Sequence, residues 1–173
     1  MSASAYLASE DSELLRRALK KYDGAACLEI GSGNGGGLID LSGRFALAVG
    51  TDVVKPSNRS WRQSGSDYIL ADAASCFRSG SFDLVAFNPP YVPSEDRADV
   101  AVDGGAGGEE VAIRFLLEAV RVLKRGGRIV MLLSSDNPVE PIKEVCESQG
   151  LAMKAVDSKH LFYETLSVYE LFR

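Results

Sequence analysis

Short apolar runs alternate along the chain with segments whose apolar residues recur at helical spacing. The runs predict seven strands, near residues 25–30, 46–51, 68–70, 82–87, 128–134, 151–156 and 164–172. Helical spacing precedes the first run and recurs at 109–123 and 137–149. This alternation predicts a single α/β domain over 1–173, with a Rossmann-like, doubly wound and mostly parallel sheet. The last two runs flank a short turn, so the last strand is expected to be antiparallel.

Two helix ends and one loop are predicted from local residue chemistry. The N-terminal helix, within residues 1–22, is expected to begin at Asp11 or Ser12, because either side chain can cap it. The helix from Glu109 is expected to end at Gly126-Gly127, since glycine commonly follows a helix. Residues 55–66 are polar and broken, which predicts a loop with one helical turn.

The first predicted strand runs directly into a glycine-rich loop, Gly31 to Gly37. Glycines let the backbone approach a ligand closely, and the helix that follows offers free N–H groups. Gly31, Gly33 and Gly36 fit the spacing of dinucleotide-binding loops, a weak signal alone. Asp52 ends the second strand roughly twenty residues later, where such folds place an acid on ribose hydroxyls. A capping or turn role is the alternative for this residue.

The fourth predicted strand ends abruptly in Asn88-Pro89-Pro90-Tyr91. Each proline lacks an N–H and fixes φ, so the chain leaves the sheet on a stiff path. Open α/β sheets bind ligands at the carboxyl ends of their strands. An amide, prolyl carbonyls and an aromatic ring there suit a planar amine or amide. A proline-rich strand exit with a capping asparagine is the alternative.

Two further segments are candidates for the same edge. Asp72 follows the third strand, where it could accept a hydrogen bond from an adenine amino group or serve as a turn residue. Residues 92–110 form the longest irregular stretch and carry four glycines. A loop of this length in a compact domain is typical of a lid or binding loop.

Composition narrows the function classes. The chain has 173 residues, 46% of them hydrophobic, and a net charge of −5 without a dense Lys/Arg cluster, which argues against unaided nucleic-acid binding. Cys27, Cys76 and Cys146 are odd in number and widely spaced, and His160 is the single histidine. We therefore expect reduced thiols and no metal site. No signal peptide or apolar run of ~20 residues is found, so a cytoplasmic location is expected.

Three stretches carry a family resemblance. Leu28-Glu29-Ile30-Gly31-Ser32-Gly33 resembles motif I of class I methyltransferases, and Asn88-Pro89-Pro90-Tyr91 resembles the N-P-P-Y motif of amino-group methyltransferases. The opening Tyr6–Leu15 is similar to that of the HemK-like glutamine methyltransferases of archaea and eukaryotes. The chain departs from that family at Ala8, where proline is usual, and in a shortened segment after Asp52.

The resemblance implies S-adenosyl-L-methionine as cofactor and methyl transfer to the glutamine of the Gly-Gly-Gln motif in a class I release factor. It implies cofactor binding by Ser12, Glu29, Gly31, Gly33, Asn34, Asp52, Val53, Asp72, Ala73 and Asn88, under a covering N-terminal helix. It implies catalysis by Asn88, Pro89 and Tyr91, and substrate binding by Asn88, Pro89, Pro90 and Tyr91. A small zinc-binding activator protein is the expected partner, adding a strand to the sheet edge near the third strand.

Other functions use parts of the same pattern. The N-P-P-Y motif also serves methyltransferases of adenine or guanine amino groups, and protein lysine is another acceptor. The glycine loop and Asp52 could hold NAD in a dehydrogenase, but Asn88-Pro89-Pro90-Tyr91 is then unexplained. A cofactor-binding subunit without catalysis is the non-enzyme alternative, and intact Asn88 and Tyr91 count against it.

Overall fold

The structure is a computed structural model, and it describes residues 3–57, 60–90, 109–136 and 138–173. Its helices are α1 (Ala3–Leu19), α2 (Gly36–Ser42), α3 (Glu110–Val122) and α4 (Val139–Ser148), with a 3-10 helix at Ser60–Ser64. Its strands are β1 (Gly24–Ile30), β2 (Phe45–Asp52), β3 (Asp67–Leu70), β4 (Phe82–Phe87), β5 (Leu123–Ser134), β6 (Ala152–His160) and β7 (Thr165–Phe172). The predicted loop at 92–108 and Tyr91 lie outside the described residues.

The seven strands form one sheet in the order β3-β2-β1-β4-β5-β7-β6. The pairs from β3 to β5 are parallel, whereas β7 is antiparallel to both β5 and β6. The predicted α/β, doubly wound architecture with an antiparallel last strand is confirmed. The strand order reverses direction between β1 and β4, which makes their carboxyl ends the switch point of the sheet.

Helices cover both faces of the sheet because the central strands are apolar on both sides. On one face, Phe115 and Leu116 of α3 and Ile142 of α4 pack in a cluster with Leu28 and Val85. On the other face, Leu14, Leu15, Ala18 and Leu19 of α1 pack in a cluster with Leu41 of α2 and strand residues Cys27, Leu84 and Ala86. Burying each large side chain contributes about 1.5–3 kcal/mol, so α1 is an integral part of the fold.

Two predicted helix ends were wrong. Helix α1 begins at Ala3, so Asp11 and Ser12 lie within it and do not cap it. No glycine or proline interrupts residues 3–11, and Ala8 permits helix where proline would break it. Helix α3 ends at Val122, and Gly126-Gly127 lie inside β5. A Cβ at Gly127 would lie 2.9 Å from the carbonyl oxygen of Asp83, so the glycine is needed for close approach of β4.

Candidate active site

The carboxyl ends of β1 and β4 open a cleft at the switch point. Ile30 pairs with Phe87, so the glycine loop and the Asn88 turn leave the sheet side by side. The cleft has a volume of about 860 Å³. Among the residues lining it are Gly31, Gly33, Asn34, Asp52, Val53, Asp72, Ala73, Asn88 and Pro90. Most of the residues implied by the family resemblance therefore meet in one place.

Gly33 provides an open backbone surface in this cleft. Its φ is +53°, in the left-handed region that favours glycine. A Cβ built on Gly33 would meet nothing within 4 Å, so the space above the backbone is open to a ligand. Its N–H donates to Asp52 Oδ2 at 2.9 Å, which holds the loop against the end of β2. The glycine loop is thus pre-shaped for close approach of a ligand.

The Asp52 carboxylate organises both the glycine loop and the segment that follows β2. Oδ2 accepts the N–H of Gly33, and Oδ1 accepts the N–H of Val54 at 2.9 Å. Each carboxylate oxygen has two lone-pair sites, so both retain capacity for a ligand hydroxyl. The capping alternative and the hydroxyl-binding prediction are therefore compatible at this residue.

The shortened segment after Asp52 folds back to form one wall of the cleft. Asn34 Oδ1 accepts hydrogen bonds from Ser57 N at 2.9 Å and Ser57 Oγ at 2.8 Å. The Tyr68 hydroxyl donates to the Gly33 carbonyl at 2.8 Å, and desolvation by burial raises its pKa to about 12. Tyr68 also stacks on Trp61, and the Trp61 ring fills the space over Gly35. An aromatic pair thus supports the glycine loop from outside.

Sequence analysis missed the contribution of α3 to the cleft. Arg114 forms an ion pair with Asp72, and Phe115 lies edge-on to Phe87 with ring centroids 6.0 Å apart. Both α3 residues line the cleft, beside Asp72 and Ala73. Nothing in the sequence distinguished these residues from the rest of an amphipathic helix. The Asp72 carboxylate accepts a hydrogen bond from Arg114 here, and its predicted role toward adenine stays a prediction.

Asn88 carries the least satisfied group at the cleft. Its Oδ1 is buried and has no hydrogen-bond partner among the described residues. The backbone N–H groups that a capping Asn88 could reach follow the two prolines and lie outside the described residues, so the capping alternative stays open. An unsatisfied buried acceptor costs about 1–3 kcal/mol, which a ligand N–H donor at this position would recover. Pro90 borders the cleft, whereas Pro89 is buried and is not among its lining residues.

Glu29 and Ser12 lie outside the cleft lining. Glu29 sits beneath the glycine loop, where a Cβ on Gly37 would overlap its carboxylate. Burial raises the pKa of Glu29 to about 7, an effect that Arg16 partly opposes and Asp40 reinforces. Ser12 is exposed on α1, whose buried apolar side chains pack on the sheet face. The covering role of this helix stays a prediction.

The described residues contain neither a metal-binding cluster nor a membrane-spanning helix. Within residues 3–57, 60–90, 109–136 and 138–173, no three His, Cys, Asp or Glu side chains form a group that could hold a metal ion. No helix in those ranges is long and apolar enough to cross a membrane.

Comparison with known proteins places the chain among methyltransferases. No protein-family model matches it. A putative protein N5-glutamine methyltransferase of Methanocaldococcus jannaschii is 34% identical over 143 residues, which cover 75% of this chain and 72% of the relative. Human methyltransferase HEMK2 is 27% identical over 160 residues, or 82% of this chain and 75% of the relative.

A solved structure extends the likeness over almost the whole fold. The Mtq2–Trm112 complex of E. cuniculi, which is responsible for methylation of the eRF1 translation termination factor, aligns with a TM-score of 0.77. The alignment is 26% identical and covers 95% of each chain. This structural alignment agrees with the glycine loop, the Asn88 turn and the 34% identity to the relative from Methanocaldococcus jannaschii. This chain belongs to the protein N5-glutamine methyltransferase family.

Proposed function

We propose that this chain transfers a methyl group from S-adenosyl-L-methionine to a glutamine side-chain amide in a class I translation release factor, within the Gly-Gly-Gln motif. The observation that carries the proposal is the buried Oδ1 of Asn88 at the carboxyl end of β4, which has no hydrogen-bond partner within the part of the chain that the structure describes. A primary amide has two N–H donors on a flat group, and this acceptor matches one of them. The family relationship and the eRF1-methylating solved relative support the choice of acceptor.

The cleft residues fit the proposed cofactor. The open backbone at Gly33 admits the amino-acid portion, and the remaining lone pairs of Asp52 suit a pair of ribose hydroxyls. Val53 and Phe115 offer apolar surface, and Asp72 a carboxylate, for the adenine ring. When bound, the cofactor supplies an electrophilic methyl group on a positively charged sulfur.

The protein's contribution is to position a weak nucleophile. The lone pair of an amide nitrogen is delocalised into its carbonyl, so the nitrogen must be oriented and made more electron-rich. Asn88 Oδ1 and the Pro89 carbonyl are assigned to accept its two N–H bonds, and the role expected of Tyr91 against the flat amide concerns a residue outside the described part of the chain. Orientation of this kind lowers the barrier by removing motional freedom before the reaction. Transfer would form the nitrogen–carbon bond as the carbon–sulfur bond breaks, with the sulfur leaving as a neutral thioether. The nitrogen would then lose its proton to solvent, so no residue of the chain is required as a general base.

The proposal includes a small zinc-binding activator protein at the β3 edge of the sheet. β3 is the terminal strand, and its Ile69 and Leu70 are exposed at 37% and 57%. An edge strand presents unpaired backbone groups to which a partner can add a strand, and exposed apolar residues can pack against that partner. The solved relative is itself in complex with a second protein, Trm112, which supports a partnership of this type.

The test is methyl transfer from labelled cofactor to a recombinant class I release factor, with and without the activator. A release factor whose Gly-Gly-Gln is changed to Gly-Gly-Asn is the matched control substrate. Label on the unmodified factor, and none on the control, is the expected result. Equal labelling of both factors would exclude the glutamine amide as acceptor. Label recovered on lysine or nucleic acid instead would refute the proposal.

A further inference from the structure

The β6–β7 hairpin ends in two aromatic side chains that do not pack against the protein core. Phe162 and Tyr163 are each 90% exposed. Their rings contact each other edge to face, with centroids 4.7 Å apart and planes at 81°. An exposed aromatic pair is unusual because burial of large aromatic surface is favourable, and such groups commonly anchor protein interfaces.

Turn chemistry does not explain these residues. The N–H of Leu161 donates to the carbonyl of Glu164 at 2.8 Å, which leaves Phe162 and Tyr163 as the two residues of a tight turn. Two-residue hairpin turns favour Asn-Gly and similar pairs, whereas aromatic residues favour strands. Neither aromatic side chain packs against the core, and neither residue type favours a turn. We therefore look for their role in binding.

The hairpin tip is held firmly at the carboxyl edge of the sheet. The Thr165 N–H donates to Ser135 Oγ at 3.0 Å, and the Ser135 N–H donates to the Thr165 carbonyl at 2.9 Å. Ser134 Oγ forms a hydrogen bond with the Glu164 carboxylate, next to Tyr163. The aromatic pair is therefore presented by a braced turn, and binding through it costs little ordering entropy.

The strand register places the tip beside the acceptor site. Phe87 pairs with Met131, and Met131 pairs with Tyr169, so β7 lies two strands from the Asn88 turn. Tyr163 is about five residues beyond the level of Asn88 in the direction of the open edge. With ~4.8 Å between strands and ~3.3 Å per residue, the tip stands roughly 20 Å from Asn88. A standard protein interface covers about 800 Å² of each partner, a patch roughly 30 Å across, so one acceptor protein can contact both the tip and Asn88.

We propose that Phe162 and Tyr163 dock the folded protein that carries the methylated amide, by packing on its surface away from the reacting residue. This inference rests on the proposed function, which requires an acceptor protein to lie over the carboxyl edge of the sheet. A second copy of the chain and the activator are the other candidate occupants. The activator is assigned to β3, at the opposite end of the seven-stranded sheet, so the hairpin is free for the acceptor.

The experiment compares an intact release factor with a short Gly-Gly-Gln peptide of about nine residues, with glutamine at its centre. Four residues on each side span ~14 Å at most, too little to reach the hairpin. In the double variant Phe162→Ser/Tyr163→Ser, the KM for the intact factor should rise at least about tenfold, with kcat within twofold. The KM for the peptide and the dissociation constant of the cofactor should stay within twofold.

Two further variants separate docking from a structural role. The exchange Phe162→Tyr/Tyr163→Phe keeps the aromatic surface and should keep the wild-type KM. The replacement Phe162→Asn/Tyr163→Asn places common turn residues at two positions whose φ is not positive, so it should maintain Tm while raising the KM for the intact factor as much as the serine variant does.

Several results would overturn the inference. An unchanged KM for the intact factor in the serine variant would do so, as would an equal rise for factor and peptide. Loss of self-association in sedimentation velocity, or loss of activator binding, would assign the aromatic pair to one of those partners. Failure of the wild-type enzyme to methylate either substrate with the activator present would instead refute the proposed function, and the docking inference would fail with it.

Discussion

The carboxyl group of Glu29 should make the stability of the cofactor-free protein depend on pH. Glu29 is 8% exposed, and its Oε2 has no hydrogen-bond partner among the described residues. Desolvation by burial is the main cause that raises its pKa from 4.5 to about 7, while Arg16 lowers it and Asp40 raises it. Because the folded protein holds this proton more tightly than the unfolded chain does, ionisation opposes folding.

The direction and size of the effect follow from these two pKa values. Below about pH 4.5 the Glu29 carboxyl is protonated in both states and contributes no pH dependence. As the pH rises toward 7, the unfolded chain releases the proton first, so the free energy of unfolding falls, and above pH 7 the loss is complete. At 1.36 kcal/mol per pKa unit, the loss is roughly 3 kcal/mol. For a chain of this size that corresponds to about 6–12 °C in Tm.

Glu29→Gln tests this reasoning because glutamine has nearly the same shape and cannot ionise. Urea unfolding at pH 5, 6, 7 and 8, without cofactor, gives the free energy of unfolding for each protein. Between pH 5 and 8 the free energy of unfolding of the variant should rise relative to that of the wild type by roughly 2.5 kcal/mol, because part of the loss is already complete at pH 5. The buried amide of the variant adds an offset that does not depend on pH. Glu144→Gln, an exposed glutamate on α4, is the matched control and should keep a constant difference.

Parallel curves for wild type and Glu29→Gln between pH 5 and 8 would refute the reasoning. They would mean that the carboxyl ionises in the folded protein as readily as in the unfolded chain. The reasoning would also be refuted if the free energy of unfolding of the variant rose relative to the wild type as the pH fell. That result would mean that the folded state stabilises the carboxylate.

Four other variants test the cleft and the sheet edge. Asn88→Ala should lower kcat at least about a hundredfold, because it removes the amide-orienting acceptor, and leave the cofactor dissociation constant within a few-fold; a near-normal rate would refute that role. Asp52→Ala should weaken cofactor binding in calorimetry by about tenfold to a hundredfold, because charge-assisted hydrogen bonds are lost; unchanged affinity would remove Asp52 from the site. Gly37→Ala should lower the free energy of unfolding by about 1–3 kcal/mol, because its Cβ would overlap the Glu29 carboxylate. Leu70→Glu should reduce activator binding in a pull-down without changing Tm by more than a few degrees, and full retention would place the activator elsewhere.

Local sequence signals predicted the elements that depend on neighbouring residues. The apolar runs identified all seven strands, and the proline pair after β4 located the chain's exit from the sheet. A strand followed by glycines located the open loop at Gly33. In each case the signal and the structure it specifies lie within a few residues of each other. The physical constraints involved act over a few residues. They are the period of the hydrophobic pattern, the φ angle that proline fixes, and the backbone freedom of glycine.

Local signals were less reliable where packing decided the outcome. Gly126 and Gly127 are typical helix-ending residues, yet they lie within β5 because β4 approaches too closely for a side chain at Gly127. Asp11 is a good capping residue, yet it lies inside α1 because the helix begins at Ala3, and its side chain is buried. The preference of a residue type is worth about 1 kcal/mol, and tertiary contacts of several kilocalories override it.

The sequence by itself determined the fold class, the position of the glycine loop, the Asp52 carboxylate and the Asn88 turn, because these depend on local patterns. Tertiary structure alone decided which groups share the cleft. It brought Arg114 and Phe115 of α3 beside Asp72 and placed Glu29 beneath the loop. It left Asn88 Oδ1 without a hydrogen-bond partner among the described residues and placed the Phe162–Tyr163 tip at the same edge. Such neighbours are set by strand register and helix packing across distant parts of the chain, which no local pattern encodes.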